Sequence, residues 1–296
     1  MTVIGITGAA GSLGRRTAQY LLVSHPAKDT VLVSRSPDPL AEFTSAGVSV
    51  RPADFDKPDT LPGAFAGVDV LLLISTDALG RRRAQHEAAI AAAAAAGVGR
   101  IVYTSMSNAD SDFPAALRTL SDEHAATEAA LRAAGPSWTI LRNALYLEAI
   151  GSGWEHVAAT GTLVSNNGDG RHAPVARDDC AAAAAAVLQG DRHDNTVYDI
   201  GGPRLLDDAA IAAALTDHYG RSIEVVSVSD EQYVEGLAAA GLPAELIGAL
   251  VGFGASIRAG LLETPIGDTA KLINRSPITI EQFLAGQSAA DKDAAR

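Results

Sequence analysis

The stretch LSDEHAATEAAL, residues 120–131, sets His124 and Glu128 four residues apart in what reads as a helix. Side chains one turn apart share a helix face. An imidazole beside a carboxylate then has three readings. Glu128 could orient His124 for proton transfer near the ordinary imidazole pKa of about 6.5. The two could be half of a metal site, or they could be an unremarkable i, i+4 pair on a partly exposed helix. The metal reading has little support, because the histidines at 25, 86, 156, 172, 193 and 218 show no ligand spacing and Cys180 is the only cysteine. The ordinary helix pair is the favoured expectation.

A catalytic pair needs elements that hold it against a substrate. The chain alternates short β-rich runs (TVIGIT, TVLVS, VSVRP, VDVLLLIS, RIVYTS, SWTILR) with helical patterns such as SLGRRTAQYLLVS and RRAQHEAAIAAAAAAG. Continuous Val/Ile/Leu strands are buried on both faces, as in a parallel sheet flanked by helices. Helices are expected to stop at Gly47, Gly97 and Gly135. These patterns predict an α/β fold: a Rossmann-like doubly wound parallel sheet over residues 1–150. The segment 160–202 partly returns to it through GTLVS, the helix containing DDCAAAAAAVL, and TVYDIGG. Residues 203–296 read as a smaller, mostly helical C-terminal lobe with Asp207 and Ser229 as helix N-caps. The tail from Ser288 is expected to fray.

VIGITGAAGSLGRRTAQYLL is a strand, a glycine-rich turn and a helix. Gly8, Gly11 and Gly14 form G-x-x-G-x-x-G. The first two allow a tight turn and a close backbone approach, and the third lets helix pack on strand. The segment Gly8, Ala9, Ala10, Gly11, Ser12, Leu13, Gly14 is therefore the expected pyrophosphate cradle, with free N–H groups at the helix start. Arg35 ends the second strand, 21 residues past Gly14, with no acid adjacent. An acid there would bind the ribose hydroxyls of NAD, whereas an arginine accommodates the 2′-phosphate of NADP. NADP(H) is the expected cofactor, with NADPH preferred over NADH. Arg15 and Arg16 are candidates to assist. Asp54 and Phe55 follow the third strand, where an adenine would be flanked; an ordinary polar loop is an equal reading. Ser75, Thr76 and Asp77 end the fourth strand, at the carboxyl edge where open sheets bind ligands. Asn143 and Tyr146 lie just after the sixth strand, placed to contact an acceptor.

The net charge of −12 argues against a nucleic-acid surface. Arg81-Arg82-Arg83, the one basic run, reads as a solvated face or a cofactor-side charge. No apolar run approaches a membrane span. A single cysteine and no signal-peptide pattern suit a cytoplasmic protein, with Cys180 a buried structural thiol. The composition leaves a homodimer open.

These segments together resemble the NmrA-like branch of the atypical short-chain dehydrogenase/reductase family, within it the bacterial NAD(P)H-dependent quinone oxidoreductases. The resemblance rests on ITGAAGSLG, VLVSR, ADFDKPDTLPGAFAGVDVLLLIS, QHEAAIAAAAAAGVGRIVYTS, DEHAATEAAL, TILRNALYLE and VARDDCAAAAAAVL. It implies a substrate cleft between the two lobes over the nicotinamide. It also implies that Asn143 and the NNGDGR turn, including Gly168, Asp169, Gly170 and Arg171, border the cofactor or the cleft. Short-chain dehydrogenases usually carry Tyr-x3-Lys on the helix after the fifth strand, with a serine from that strand. Here Ser105 is kept, but His124 and Glu128 stand in the aligned positions. A carboxylate raises the pKa of a neighbouring acid where lysine lowers it. Conventional alcohol–ketone chemistry is therefore not expected. Quinone reduction suits the change, because a hydroquinone anion takes its proton from water or any nearby donor. The expected activity is hydride transfer from NADPH to a quinone or similar small planar acceptor, with Ser105, His124, Asn143 and Tyr146 as candidate catalytic residues. The alternative is an NADP(H)-binding redox-sensing regulator without turnover, and a third reading is a sugar-nucleotide epimerase or dehydratase.

Overall fold

In the computed structural model, seven strands form one parallel sheet: β1 (Ile4–Ile6), β2 (Thr30–Ser34), β3 (Ser49–Pro52), β4 (Val70–Leu73), β5 (Arg100–Met106), β6 (Ser137–Asn143) and, later in the chain, β8 (Thr196–Ile200). Their order across the sheet is β3-β2-β1-β4-β5-β6-β8. The structure describes residues 2–294, with side chains as far as 287; of the tail expected to fray from Ser288, the backbone as far as Ala294 continues the last helix and the rest lies outside the description.

Strand residues alternate between two cores because successive side chains point to opposite faces. Ile4, Ile6, Leu32, Leu72, Val102 and Leu141 meet the Ser12–Leu21 and Arg177–Gln189 helices on one face. Val31, Val33, Leu71, Leu73, Ile101, Tyr103 and Ile140 meet the Arg82–Ala95 and Ala115–Ala133 helices on the other. Alanine lets the helices approach closely: Ala181, Ala183 and Ala184 are all buried in the first core. Glycines 47, 97 and 135 adopt the positive φ expected of helix stops.

The strand order reverses at β1, with β2 on one side and β4 on the other. The crevice outside the carboxyl ends of these strands is where such sheets bind ligands. The Thr7 hydroxyl holds that edge together, donating to the Leu72 carbonyl at 3.1 Å and accepting from the Ile74 amide at 3.0 Å.

Beyond β6 the return to the sheet is divided. The Arg177–Gln189 helix and β8 pack on the main sheet. In contrast β7 (Thr162–Ser165) pairs in parallel with β9 (Glu224–Ser227), a mostly exposed strand that periodicity alone does not reveal. The remainder is helical, over Asp208–Tyr219, Asp230–Ala239, Ala244–Arg258, Asp268–Ile273 and Ile280–Ala294. Asp207 caps the first of these at Ala210 N, 2.8 Å, and Ser229 and Gln232 form a capping box on the second. No described helix is long and apolar enough to cross a membrane.

Candidate functional site

A cleft of about 670 Å³ opens at the carboxyl edge of β1, β2 and β4. Gly8, Ala10, Gly11, Ser12, Leu13 and Gly14 form its floor; Ala9 is buried beneath, its amide bonded to the Val33 carbonyl at 3.2 Å. The glycines are required by geometry. Gly8 has φ +60°, and a Cβ on Gly14 would collide with the Gly8 carbonyl oxygen and lie 2.8 Å from Ala9 Cα. The helix beginning at Ser12 has no side-chain cap and no acid in its first turn, so its leading amides and its positive dipole face the cleft. This cradle fits a pyrophosphate.

Arg35 lines the cleft at the end of β2 and makes no side-chain hydrogen bond or ion pair among the described residues, as a 2′-phosphate ligand would require. Arg15 and Arg16 are committed elsewhere, Arg15 to Glu42 and the Pro39 carbonyl and Arg16 to Asp178. Asp54, Phe55, Ser75, Thr76 and Asp77 all line the same cleft. The basic run splits three ways: Arg81 lines the cleft and pairs with Asp56 at 2.9 Å, Arg82 is buried, and Arg83 pairs with Glu87 on the surface. A hydrogen bond from Gln85, then the charges of Arg81 and Arg35, hold the Asp56 carboxyl below its usual range.

Tyr146 and Arg177 line the same cleft. The Asn143 amide nitrogen donates to the Tyr146 hydroxyl at 3.0 Å, which leaves the phenolic hydrogen free to donate. Asn143 Oδ1 is buried with no partner. Burial pushes the Tyr146 phenol well above its ordinary pKa, so it is neutral at any physiological pH.

His124 and Glu128 lie elsewhere and are fully engaged. Glu128 is buried and takes a two-pronged ion pair from Arg142 on β6, at 2.9 and 2.8 Å, and a third contact from Arg132 at 3.1 Å. The Ser105 hydroxyl donates to Glu128 Oε1 at 2.8 Å, so the serine faces this ion pair. His124 Nε2 accepts from Arg82 at 3.2 Å, because a guanidinium only donates, and His124 Nδ1 therefore donates to the Tyr103 hydroxyl at 2.8 Å. Burial, then the charge of Arg82, pushes the His124 pKa down to about 3. The ring is neutral and both nitrogens are spent. Neither Ser105 nor His124 lines the cleft, and the expected partly exposed helix pair is buried.

A second ring of bonds fixes the cleft wall from behind. His86 Nε2 accepts the Thr76 amide at 3.1 Å, Arg82 Nε donates to the Thr76 carbonyl at 2.6 Å, and the Thr76 hydroxyl donates to Gln85 Oε1 at 2.7 Å. Sequence reasoning offered Arg81 as a solvated face or a cofactor-side charge, and did not assign Gln85, His86 or Arg177 to the site. Each is brought there by the fold, with no local spacing rule to announce it.

The structure does not bring Gly168, Asp169, Gly170 and Arg171 to this cleft. Gly168 and Gly170 pack against Arg258 and the Ile257 backbone, and Arg171 pairs with Glu263 at 2.9 Å. Cys180 is buried, and desolvation raises its thiol pKa well above the usual value, as suits a structural residue. A further cavity of about 490 Å³ lies at the opposite end of the sheet, where Arg100 donates to the Val187, Leu188 and Gly190 carbonyls.

A family model described as NAD(P)H-binding matches residues 8–191, the loop, the cleft and the sheet around it. The chain belongs to this family. Quinone oxidoreductase 2 of Escherichia coli is 34% identical over 96% of this chain and 98% of its own. An NmrA-like family domain-containing oxidoreductase of Aspergillus flavus is 28% identical over 92% of this chain and 91% of its own. A crystal structure of the NADPH-dependent quinone oxidoreductase of E. coli complexed with NADPH superposes with a TM-score of 0.91 at 33% identity, covering 96% of this chain and 99% of that one.

Proposed function

We propose that this protein is an NADPH-dependent oxidoreductase that reduces quinones or similar small planar acceptors. The observation that carries the reading is one continuous cleft that joins an uncommitted Arg35, the glycine cradle and the Tyr146 end. The named activities of the E. coli relatives support it. The substrate is a small molecule, and the cytoplasm is the proposed location.

NADPH, when bound, supplies a hydride. The protein's own groups bind, orient and exclude. Arg35 holds the 2′-phosphate, the Ser12–Gly14 amides hold the pyrophosphate, and Asp54 with Phe55 flanks the adenine end. Asn143 fixes Tyr146 so that its neutral hydroxyl donates a hydrogen bond to an acceptor oxygen. A quinone that gains the hydride and one proton becomes a hydroquinone. Its anion is weakly basic, so water can deliver the proton and no acid of the Tyr-x3-Lys kind is required. The locked state of Ser105, His124 and Glu128 agrees with that chemistry.

The test is NADPH consumption by purified protein against a panel of benzoquinones and naphthoquinones, with NADPH and NADP⁺ binding titrated in parallel. Turnover well above the uncatalysed background is expected. Tight dinucleotide binding without turnover on any acceptor would overturn the enzyme reading in favour of a redox-sensing regulator.

A further inference from the structure

The phosphate loop is surrounded by arginines that differ in what they already hold. Arg15 serves Glu42 and the Pro39 carbonyl, Arg16 serves Asp178 and Gln19, and Arg81 serves Asp56. Arg177 has no side-chain hydrogen bond or ion pair among the described residues; its guanidinium carbon lies 5.0 Å from the centre of the Tyr146 ring. Stacking occupies the flat face of a guanidinium and leaves its N–H edge free to bind.

The position of Arg177 is set by its neighbours. Its backbone amide is fixed by both oxygens of Glu148, at 3.0 and 3.1 Å. The next residue, Asp178, ties the start of this helix to the first helix, through Arg16 and through the Tyr20 hydroxyl at 2.6 Å. Arg177 therefore begins a helix tied to the one that follows the glycine loop, and it lines the same cleft as Gly11 and Ser12. A half-buried guanidinium that makes no ion pair of its own is open to an arriving anion. NADPH brings two anionic groups, the 2′-phosphate and the pyrophosphate, and the cleft keeps two arginines unpaired, Arg35 and Arg177.

We propose that Arg177 is the second pole of the pyrophosphate site, binding the diphosphate oxygens from across the cleft while the Ser12–Gly14 amides bind them from the helix side. This rests on the dinucleotide reading above and adds a ligand to it that no glycine motif encodes.

Binding of three fragments without a nicotinamide separates the roles. They are ADP-ribose, 2′-phospho-ADP-ribose, and adenosine 2′-monophosphate, which lacks the diphosphate. Calorimetric titration of Arg177→Gln should show both diphosphates binding about tenfold more weakly, the scale of one charge-assisted hydrogen-bonded contact. Adenosine 2′-monophosphate should bind as it does to the unaltered protein. Arg35→Gln should give the reverse selectivity, and Arg177→Lys should recover part of the diphosphate affinity. The proposal is overturned if Arg177→Gln binds both diphosphates as tightly as the unaltered protein. It is equally overturned if all three fragments lose affinity together, or if only the acceptor's KM changes. Unaltered protein that binds none of the three would instead overturn the functional reading itself.

Discussion

Two polar regions of this protein look alike in sequence and differ in what they are free to do. In the cleft at the switch of the sheet, the leading amides of the first helix, the N–H groups of Arg35 and Arg177 and the Tyr146 hydrogen have no internal hydrogen-bond acceptor, and Asn143 Oδ1, next to Tyr146, is buried without a partner. On β5 and the helix packed on it, Ser105 spends its hydroxyl on Glu128, Glu128 its carboxylate on Arg142 and Arg132, and His124 its ring on Arg82 and Tyr103. A residue of catalytic type that has satisfied its hydrogen bonds inside the fold has no group left for a substrate. Uncommitted groups around an open cleft are the better sign of chemistry.

The largest expected effect is on stability as a function of pH. Burial lowers His86 and His124 to about 3 and His172 to about 4. The unfolded chain takes up protons below about pH 6.5 while these rings stay neutral in the fold. Stability is therefore fully present above pH 6.5 and falls as the pH drops toward 4, at up to about 4 kcal/mol per pH unit for three protons. Asp179 and Asp199, whose carboxyls burial raises, oppose part of this loss. Urea unfolding at pH 7.5, 6 and 5 measures the slope, and a flat profile would contradict the closed state of the histidines.

Glu128→Ala leaves the partly buried Arg142 with only the exposed Asp110 as counter-ion and should cost about 2–4 kcal/mol of unfolding free energy. Denaturant titration reads this; a loss under about 1 kcal/mol would mean that the ion pair is not the structural anchor described. On the cleft side, Gly14→Ala drives a methyl into the Gly8–Ala9 backbone, and NADPH affinity should fall about a hundredfold. Unchanged affinity would remove the glycine cradle from the site. Arg35→Ala should weaken NADPH about tenfold with little change for NADH. Equal losses for both cofactors would take Arg35 away from the 2′-phosphate.

The parts of the fold that local chemistry dictates were legible in the sequence. Continuous apolar strands announced the parallel sheet, Gly8 and Gly14 can only be glycine where they stand, and Arg35 follows from counting along a βαβ unit. Asp207 and Ser229 were readable because a helix start is a local event. What escaped depends on distant partners. The environment of His124 and Glu128 is supplied by Arg82, Tyr103 and Arg142, which only the tertiary fold brings near. GTLVS pairs with a strand some sixty residues later and leaves the main sheet. The Asn166–Arg171 turn has the composition of a ligand loop, yet which surface it meets is decided by the Ala244–Arg258 helix.

The most direct test of the contrast is the smallest expected effect. His124→Asn keeps an amide N–H near the position of Nδ1 and removes the only imidazole of the Ala115–Ala133 helix. Quinone-dependent NADPH oxidation by this variant, measured well below its melting temperature, should keep kcat within about threefold of the unaltered protein, far less than the hundredfold or more typical of losing a general acid. A hundredfold loss of kcat with NADPH binding intact would place His124 in the chemistry and contradict the account.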